Sequence, residues 1–147
     1  MAKQFDVAVI GAGAAGMMCA AVAAQRGKRV VLIDHAAKLA AKIRISGGGR
    51  CNFTNINAGP ANFLSENPHF CKSALSRYTA QDFVALVKKH RIGYHEKHRG
   101  QLFCDDSAEQ IIQMLKEECA DGGVTWRMPC QVASVENSSE GFLLATD

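Results

Sequence analysis

A glycine-rich turn between two apolar strands constrains this chain more than any other feature. Phe5–Ile10 reads as a buried strand, and Gly11-Ala12-Gly13-Ala14-Ala15-Gly16 follows it at once. Ala14 to Arg26 is rich in Ala and Met with no breaker after Gly16, which predicts a helix. Gly27 stops that helix, and Arg26, Lys28 and Arg29 complement its negative end. Val30–Ile33 is a second buried strand, and Asp34 closes it. Each special position has a mechanical reason. Gly11 permits a tight turn out of the strand, Gly13 lets a pyrophosphate approach the backbone, and Gly16 lets helix and strand pack closely. Ala14 and Ala15 sit in the first helical turn, whose N–H groups carry partial positive charge toward such a pyrophosphate. Asp34 lies 18 residues beyond Gly16, where a carboxylate accepts from a ribose hydroxyl. Strand, helix, second strand and acidic end agree, which argues against a glycine turn of some other α/β protein. NAD and FAD both present an adenosine diphosphate to such a βαβ unit, so the unit does not separate them. A 2′-phosphate is disfavoured, because Asp34 would repel it.

Composition bounds the rest. A chain of 147 residues with 48% hydrophobic and 21% charged residues is one globular domain or a piece of one. The net charge of +3, from 17 basic and 14 acidic residues, is too small to argue for nucleic acid, so no nucleic-acid partner is expected. The six cysteines form no CxxC, so they read as free thiols of a reducing, cytoplasmic compartment. Val7 to Ala24 carries no charge, Lys3 precedes it, and Ala21-Val22-Ala23 resembles a signal-peptidase site. Asp6, the interrupting glycines and the shortness of the run speak against a secretory leader and against a membrane span.

A second motif runs from Lys42 to Asn55. Three glycines, Gly47, Gly48 and Gly49, are flanked by Lys42, Arg44 and Arg50, and exposed N–H groups beside cations suit an anion such as a phosphate. No Gly-Lys-Ser/Thr follows, so this is not a P-loop. The segment Ser46-Gly47-Gly48-Gly49-Arg50-Cys51-Asn52-Phe53-Thr54-Asn55 closely resembles the hallmark of the HI0933-like flavoproteins, a group that includes bile-acid dienone reductases and aminoacetone oxidase-like proteins. Gly100 to Ala108 is similar to the family's Gly…Phe-Pro segment, with Cys104 where many members have proline. Ala40 and Ala41 depart from the family's usual Gly-Arg or Gly-Glu.

The resemblance implies a Rossmann-like FAD/NAD(P)-binding fold of the glutathione-reductase type: an α/β fold with a parallel sheet, a helical insertion and the start of an antiparallel meander. It implies FAD as cofactor, with NAD(P)H as electron donor of a full-length oxidoreductase acting on an unidentified small molecule. Lys42, Ser46, Gly47, Gly48, Gly49, Arg50 and Asn52 would follow the diphosphate and the flavin side. Val132, at the start of the meander, would contribute a backbone contact beside the adenine. Family members run to roughly 400 residues, beyond one typical domain, so the chain is expected to be an incomplete N-terminal portion. Its substrate domain and the C-terminal part of the same protein would be missing. No catalytic residue and no metal site is assigned. The alternatives are a non-catalytic truncated remnant and an NAD-binding module.

The expected layout is a dinucleotide unit over 1–35, a cofactor loop over 36–66, a mainly helical insertion over 67–123, and a third strand with the start of the meander over 124–147. A short helix opens at Asn67-Pro68. Thr79 caps an amphipathic helix to His90 with Phe83, Val84, Leu86 and Val87 inward. Ile92 to Cys104 forms a hairpin, Ser107 caps a helix to Asp121, and Val124–Met128 is a third parallel strand with Trp126 in the core. Gln131–Glu136 and Phe142–Thr146 alternate as meander strands. The basic run from Lys88 to Arg99, with His90, His95 and His98, lacks HExxH spacing and reads as a solvated turn after a helix. Cys51 reads as a packed thiol rather than a reactive one.

Overall fold

A computed structural model describes residues 4–147. Lys3, the charge ahead of the weighed leader, lies outside the described residues. The chain divides into two compact units. The first takes in the chain up to Ile43 and again from Leu115 to Asp147; the second is Arg44–Met114. The glycine loop falls in the second unit, where the strand that follows it, Asn52–Asn55, pairs with Gln101–Cys104.

In the first unit, β1 (Val7–Ile10), α1 (Ala14–Gln25) and β2 (Val30–Ile33) form the expected βαβ unit. β2 is central in a parallel sheet of order β1-β2-β6, with β6 spanning Thr125–Arg127. Val7 pairs with Val30 and Ile10 with Ile33, while Val31 pairs with Thr125 and Ile33 with Arg127. Only β2 is buried along its whole length. β1 was expected to be buried, but it alternates between half-buried and exposed residues because it is an edge strand of this sheet, and Ile10 is 58% exposed. Trp126 is likewise half-buried on the opposite edge, not in the core.

Helix α1 buries Met17, Ala20, Ala21 and Ala24. Small residues there let it lie close on β1 and β2. A Cβ on Gly16 would stand 1.8 Å from the Gly11 carbonyl oxygen, so only glycine fits that contact. Glu118 of α5 (Glu109–Asp121) is buried, and its carboxylate accepts from Gln25 Nε2 at 2.8 Å. The meander begins as a hairpin of β7 (Val132–Ser138) and β8 (Gly141–Thr146).

The second unit begins within α2 (Ala41–Ile45), which runs into a 3-10 turn over Ser46–Gly49. Its sheet is antiparallel, in the order β3-β5-β4: β3 is Asn52–Asn55, β4 is Tyr94–Glu96 and β5 is Gln101–Cys104. The β4–β5 hairpin is as expected, but β3 was not. Two helices, α3 (Lys72–Arg77) and α4 (Ala80–Lys89), lie between β3 and β4. The Thr79 hydroxyl accepts from the Asp82 N–H at 3.2 Å while the Asp82 carboxylate accepts from the Thr79 N–H at 2.7 Å, a reciprocal cap of α4. Val87 is the fully buried member of its apolar face, and Phe83, Val84 and Leu86 are half-buried.

Candidate functional site

The end of β2 gathers the first unit's candidate residues. Gly11 N–H donates to the Ile33 carbonyl at 2.8 Å, which turns the chain over the tip of the sheet. Asp34 is pinned there by its backbone: its N–H donates to Arg127 and its carbonyl accepts from Cys130. Its side chain is only 15% exposed. One carboxylate oxygen accepts from Ala12 N–H at 2.6 Å, the other from Ala36 N–H at 2.8 Å. Burial pushes the Asp34 carboxyl up, but the N–H groups of Ala36 and Ala12, with His35 beside it, outweigh that and lower its pKa. Asp34 is therefore an ionised acceptor that first orders the glycine turn. Each oxygen keeps a further lone pair for a ligand hydroxyl.

A cavity of about 510 Å³ opens at this point. Ile10, Gly11 and Ile33 line it from the strands, Asp34 and His35 from the end of β2, and Val132 from the start of β7, so the sheet and the meander jointly build it. Gly11, Asp34 and Val132, which the sequence singles out as cofactor contacts, are among the residues that line it. Cys130 also lines the cavity, and no motif singles it out in the sequence.

Gly13, Ala14, Ala15 and Gly16 open α1. Gly13 is its N-cap with extended backbone, no side chain caps it, and no acidic residue occupies the first turn. A helix start of this kind presents N–H groups and positive dipole to whatever lies beyond it. Lys42 is exposed on α2.

The glycine loop belongs to the second unit and is a packed turn. Gly47 and Gly48 are left-handed (φ 59° and 66°). A Cβ on Gly47 would stand 2.8 Å from both the Asn52 nitrogen and the Phe103 ring. Cys51 N–H donates to Ser46, Ala108 N–H to Gly49 and Cys104 N–H to Arg50, so three of the loop's carbonyls are spent on its own unit. Asn52 is exposed, and in the amide orientation that satisfies its neighbours its nitrogen donates to the carbonyls of Leu102 and Thr54 at 3.1 Å. Arg44, one of the three flanking cations, forms an ion pair with Glu109. Arg50 is exposed.

The family model of the HI0933-like protein Rossmann domain matches residues 5–147. The chain belongs to this family. The HI0933-like chain is 58% identical over 142 residues to the ribosomal RNA dihydrouridine synthase of Escherichia coli strain K12, covering 97% of this chain and 36% of that protein. It is 27% identical over 150 residues to the 3-dehydro-bile acid delta(4,6)-reductase of Clostridium scindens, covering 96% of this chain and 35% of that one. It thus spans about a third of the length of these relatives. Among solved structures, glycine oxidase from Geobacillus kaustophilus superposes with a TM-score of 0.70 at 17% identity, over 99% of this chain and 52% of that one. That likeness establishes the Rossmann-type fold.

Two thiols beside the family's signature loop are not poised as nucleophiles. Burial pushes Cys51 up, against a hydrogen bond from Ser46 that lowers it. Burial, then the neighbouring Cys51 and Asp105, push Cys104 up to about 11. Both are protonated at neutral pH, and a nucleophilic cysteine needs the thiolate. No helix among the described residues is long and apolar enough to cross a membrane.

Proposed function

We propose that this chain is the FAD-binding N-terminal part of a flavin-dependent oxidoreductase. The observation that carries this reading is the cavity at the end of β2. Its walls suit an adenosine: Ile33 and Val132 offer apolar contact for the base, and the ionised Asp34 offers acceptors for ribose hydroxyls. The uncapped start of α1, at Gly13, Ala14, Ala15 and Gly16, suits the pyrophosphate. The residues present therefore fit an adenine dinucleotide, and the family resemblance of the Ser46–Asn55 loop favours FAD over NAD. Bound flavin supplies two-electron redox chemistry, and the protein supplies binding and electrostatics. Lys42, the loop residues Ser46 to Arg50, and Asn52 are proposed as further cofactor contacts. NAD(P)H is proposed as the donor of a full-length protein.

For that full-length protein we propose reduction of a uridine in ribosomal RNA to dihydrouridine. The 58% identity to the Escherichia coli enzyme supports this more strongly than the 27% identity to the bile-acid reductase supports a steroid substrate. The small charge excess led to the expectation of no nucleic-acid partner, and the identity to the Escherichia coli enzyme favours the opposite reading.

The experiment is visible absorbance of the purified chain with and without added FAD, followed by NAD competition. Stoichiometric flavin, undiminished by NAD, is expected. Folded, colourless protein that ignores FAD would sink the cofactor assignment. Loss of dihydrouridine from ribosomal RNA in a strain lacking the gene would test the substrate separately.

A further inference from the structure

Three helices end in the same hydrogen-bond motif, and one of them breaks its pattern. After α1, Gly27 N–H donates to Ala24 and Lys28 N–H to Ala23; after α5, Gly123 N–H donates to Ala120 and Val124 N–H to Cys119. After α4, Arg91 N–H donates to Lys88 and Ile92 N–H to Val87. This is a Schellman ending, whose left-handed residue is ordinarily glycine. Gly27 (φ 82°) and Gly123 (φ 73°) follow that preference, whereas the third position is Arg91 at φ 56°. The β4–β5 turn repeats the departure. His98 to Gln101 closes with Gln101 N–H on the His98 carbonyl, and Arg99 and Gly100 have φ of 53° and 79°. A turn with two left-handed centres prefers Asn-Gly; here it is Arg-Gly. The fold is thus indifferent or averse to arginine at both positions.

The two arginines flank β4, an edge strand of its sheet. Lys97 and His98 stand beside Arg99, all exposed. Five of the seventeen Lys and Arg residues fall between Lys88 and Arg99 with one carboxylate among them, a net of four positive charges in a chain whose total is +3. That carboxylate, Glu96, is exposed and accepts from Gly100 N–H at 2.9 Å. The neighbouring Asp105 is held by His95 Nδ1 at 2.7 Å, and the His95 ring stacks on Phe103. Lys97 Nζ lies 5.5 Å from the centre of the same ring. Glu96 and Asp105 are thus each engaged, while Arg91, Lys97, His98 and Arg99 are exposed.

We propose that the strip along β4, anchored by Arg91 and Arg99 with Lys97 and His98, binds the phosphate backbone of an RNA strand. The proposal rests on the RNA reading above and names the surface that would serve it. A three-residue strand covers about 10 Å, a reach that fits successive phosphates of an extended strand. No apolar side chain stands exposed among these cations, so the strip has nothing to insert into a lipid surface.

The test exploits the backbone. The double variant R91G/R99G places in both positions a residue the left-handed backbone accepts readily, so its melting temperature should be unchanged or higher. Binding of a fluorescein-labelled, uridine-containing single-stranded RNA is followed by anisotropy between about 50 and about 200 mM salt. Affinity should fall about tenfold, and the slope of log K against log salt should drop by about 1.4 for two lost phosphate contacts. A melt-competent variant with unchanged affinity and slope overturns the proposal. So does absence of RNA binding by the parent chain, or binding of the strip to phosphatidylglycerol vesicles in place of RNA. FAD binding by the same samples separates the outcomes: retained flavin with no RNA binding overturns the strip and leaves the cofactor reading standing.

Discussion

The two glycine turns of this chain look alike in the sequence and do opposite things in the structure. Gly11 to Gly16 opens a helix and leaves its first turn without a side-chain cap. Gly47 to Gly49 folds a turn back on its own unit, and Ser46, Gly49 and Arg50 spend their carbonyls there. In the first turn glycine is needed for a close contact on one side and leaves open backbone on the other. In the second, Gly47 is needed because a side chain there would strike Asn52 and Phe103. Glycine content alone therefore does not mark a phosphate site; what the surrounding N–H and carbonyl groups are doing does.

The sharpest way to break this contrast is inside the first turn. Gly16→Ala drives a Cβ into the Gly11 carbonyl and should cost about 3 kcal/mol of stability, measured by urea unfolding. Gly13→Ala meets nothing within 4 Å, so stability should change by less than about 0.5 kcal/mol while FAD affinity falls. If Gly13→Ala binds FAD normally, the first turn does not hold the pyrophosphate. Gly47→Ala strains a left-handed position and presses on Phe103; a loss of about 2 kcal/mol is expected in the same unfolding assay. Asp34→Asn removes one of two acceptors for backbone N–H groups and should cost about 1 kcal/mol. Because the Asp34 pKa is lowered in the folded state, its contribution is present above the unfolded value of about 3.9 and is lost as pH falls through the folded value. The gap between parent and D34N should therefore close on acidification. The smallest effect belongs to Asp6, whose carboxyl is held at about 2, first by the Arg29 side chain. D6N should differ from the parent at neutral pH, and that difference should shrink as pH falls from about 4 toward 2.

What was legible in the sequence was whatever is local. Val7–Ile10, Ala14–Gln25 and Val30–Ile33 carry their own periodicity and punctuation, and Thr79 announces a helix start. Asn52–Asn55 does not read as a strand, because asparagine is depleted in strands. It becomes one by pairing with Gln101–Phe103, a partner nearly fifty residues away. Likewise nothing near Arg44 foretells Glu109, 65 positions on, so a cation assigned to the loop is a cation already matched. Asp34 was placed by spacing, but spacing does not reveal that its oxygens also hold Ala12 and Ala36. β1 and Trp126 were expected in the core, since strand composition does not say which strand will be an edge.

The pairing of Val31 with Thr125 has a consequence for assembly. The first unit is discontinuous: β1 and β2 close across one helix, but β6 reaches β2 only after the whole second unit has been made. Closing so long a loop costs more entropy than closing the βαβ unit, so β6 should dock after the βαβ unit has formed, during synthesis as in refolding. It also makes the connection a point of control. Residues 61–70 are exposed throughout, and a protease that cuts there turns the β2–β6 pairing from an event within one chain into an encounter between two, whose strength then depends on concentration.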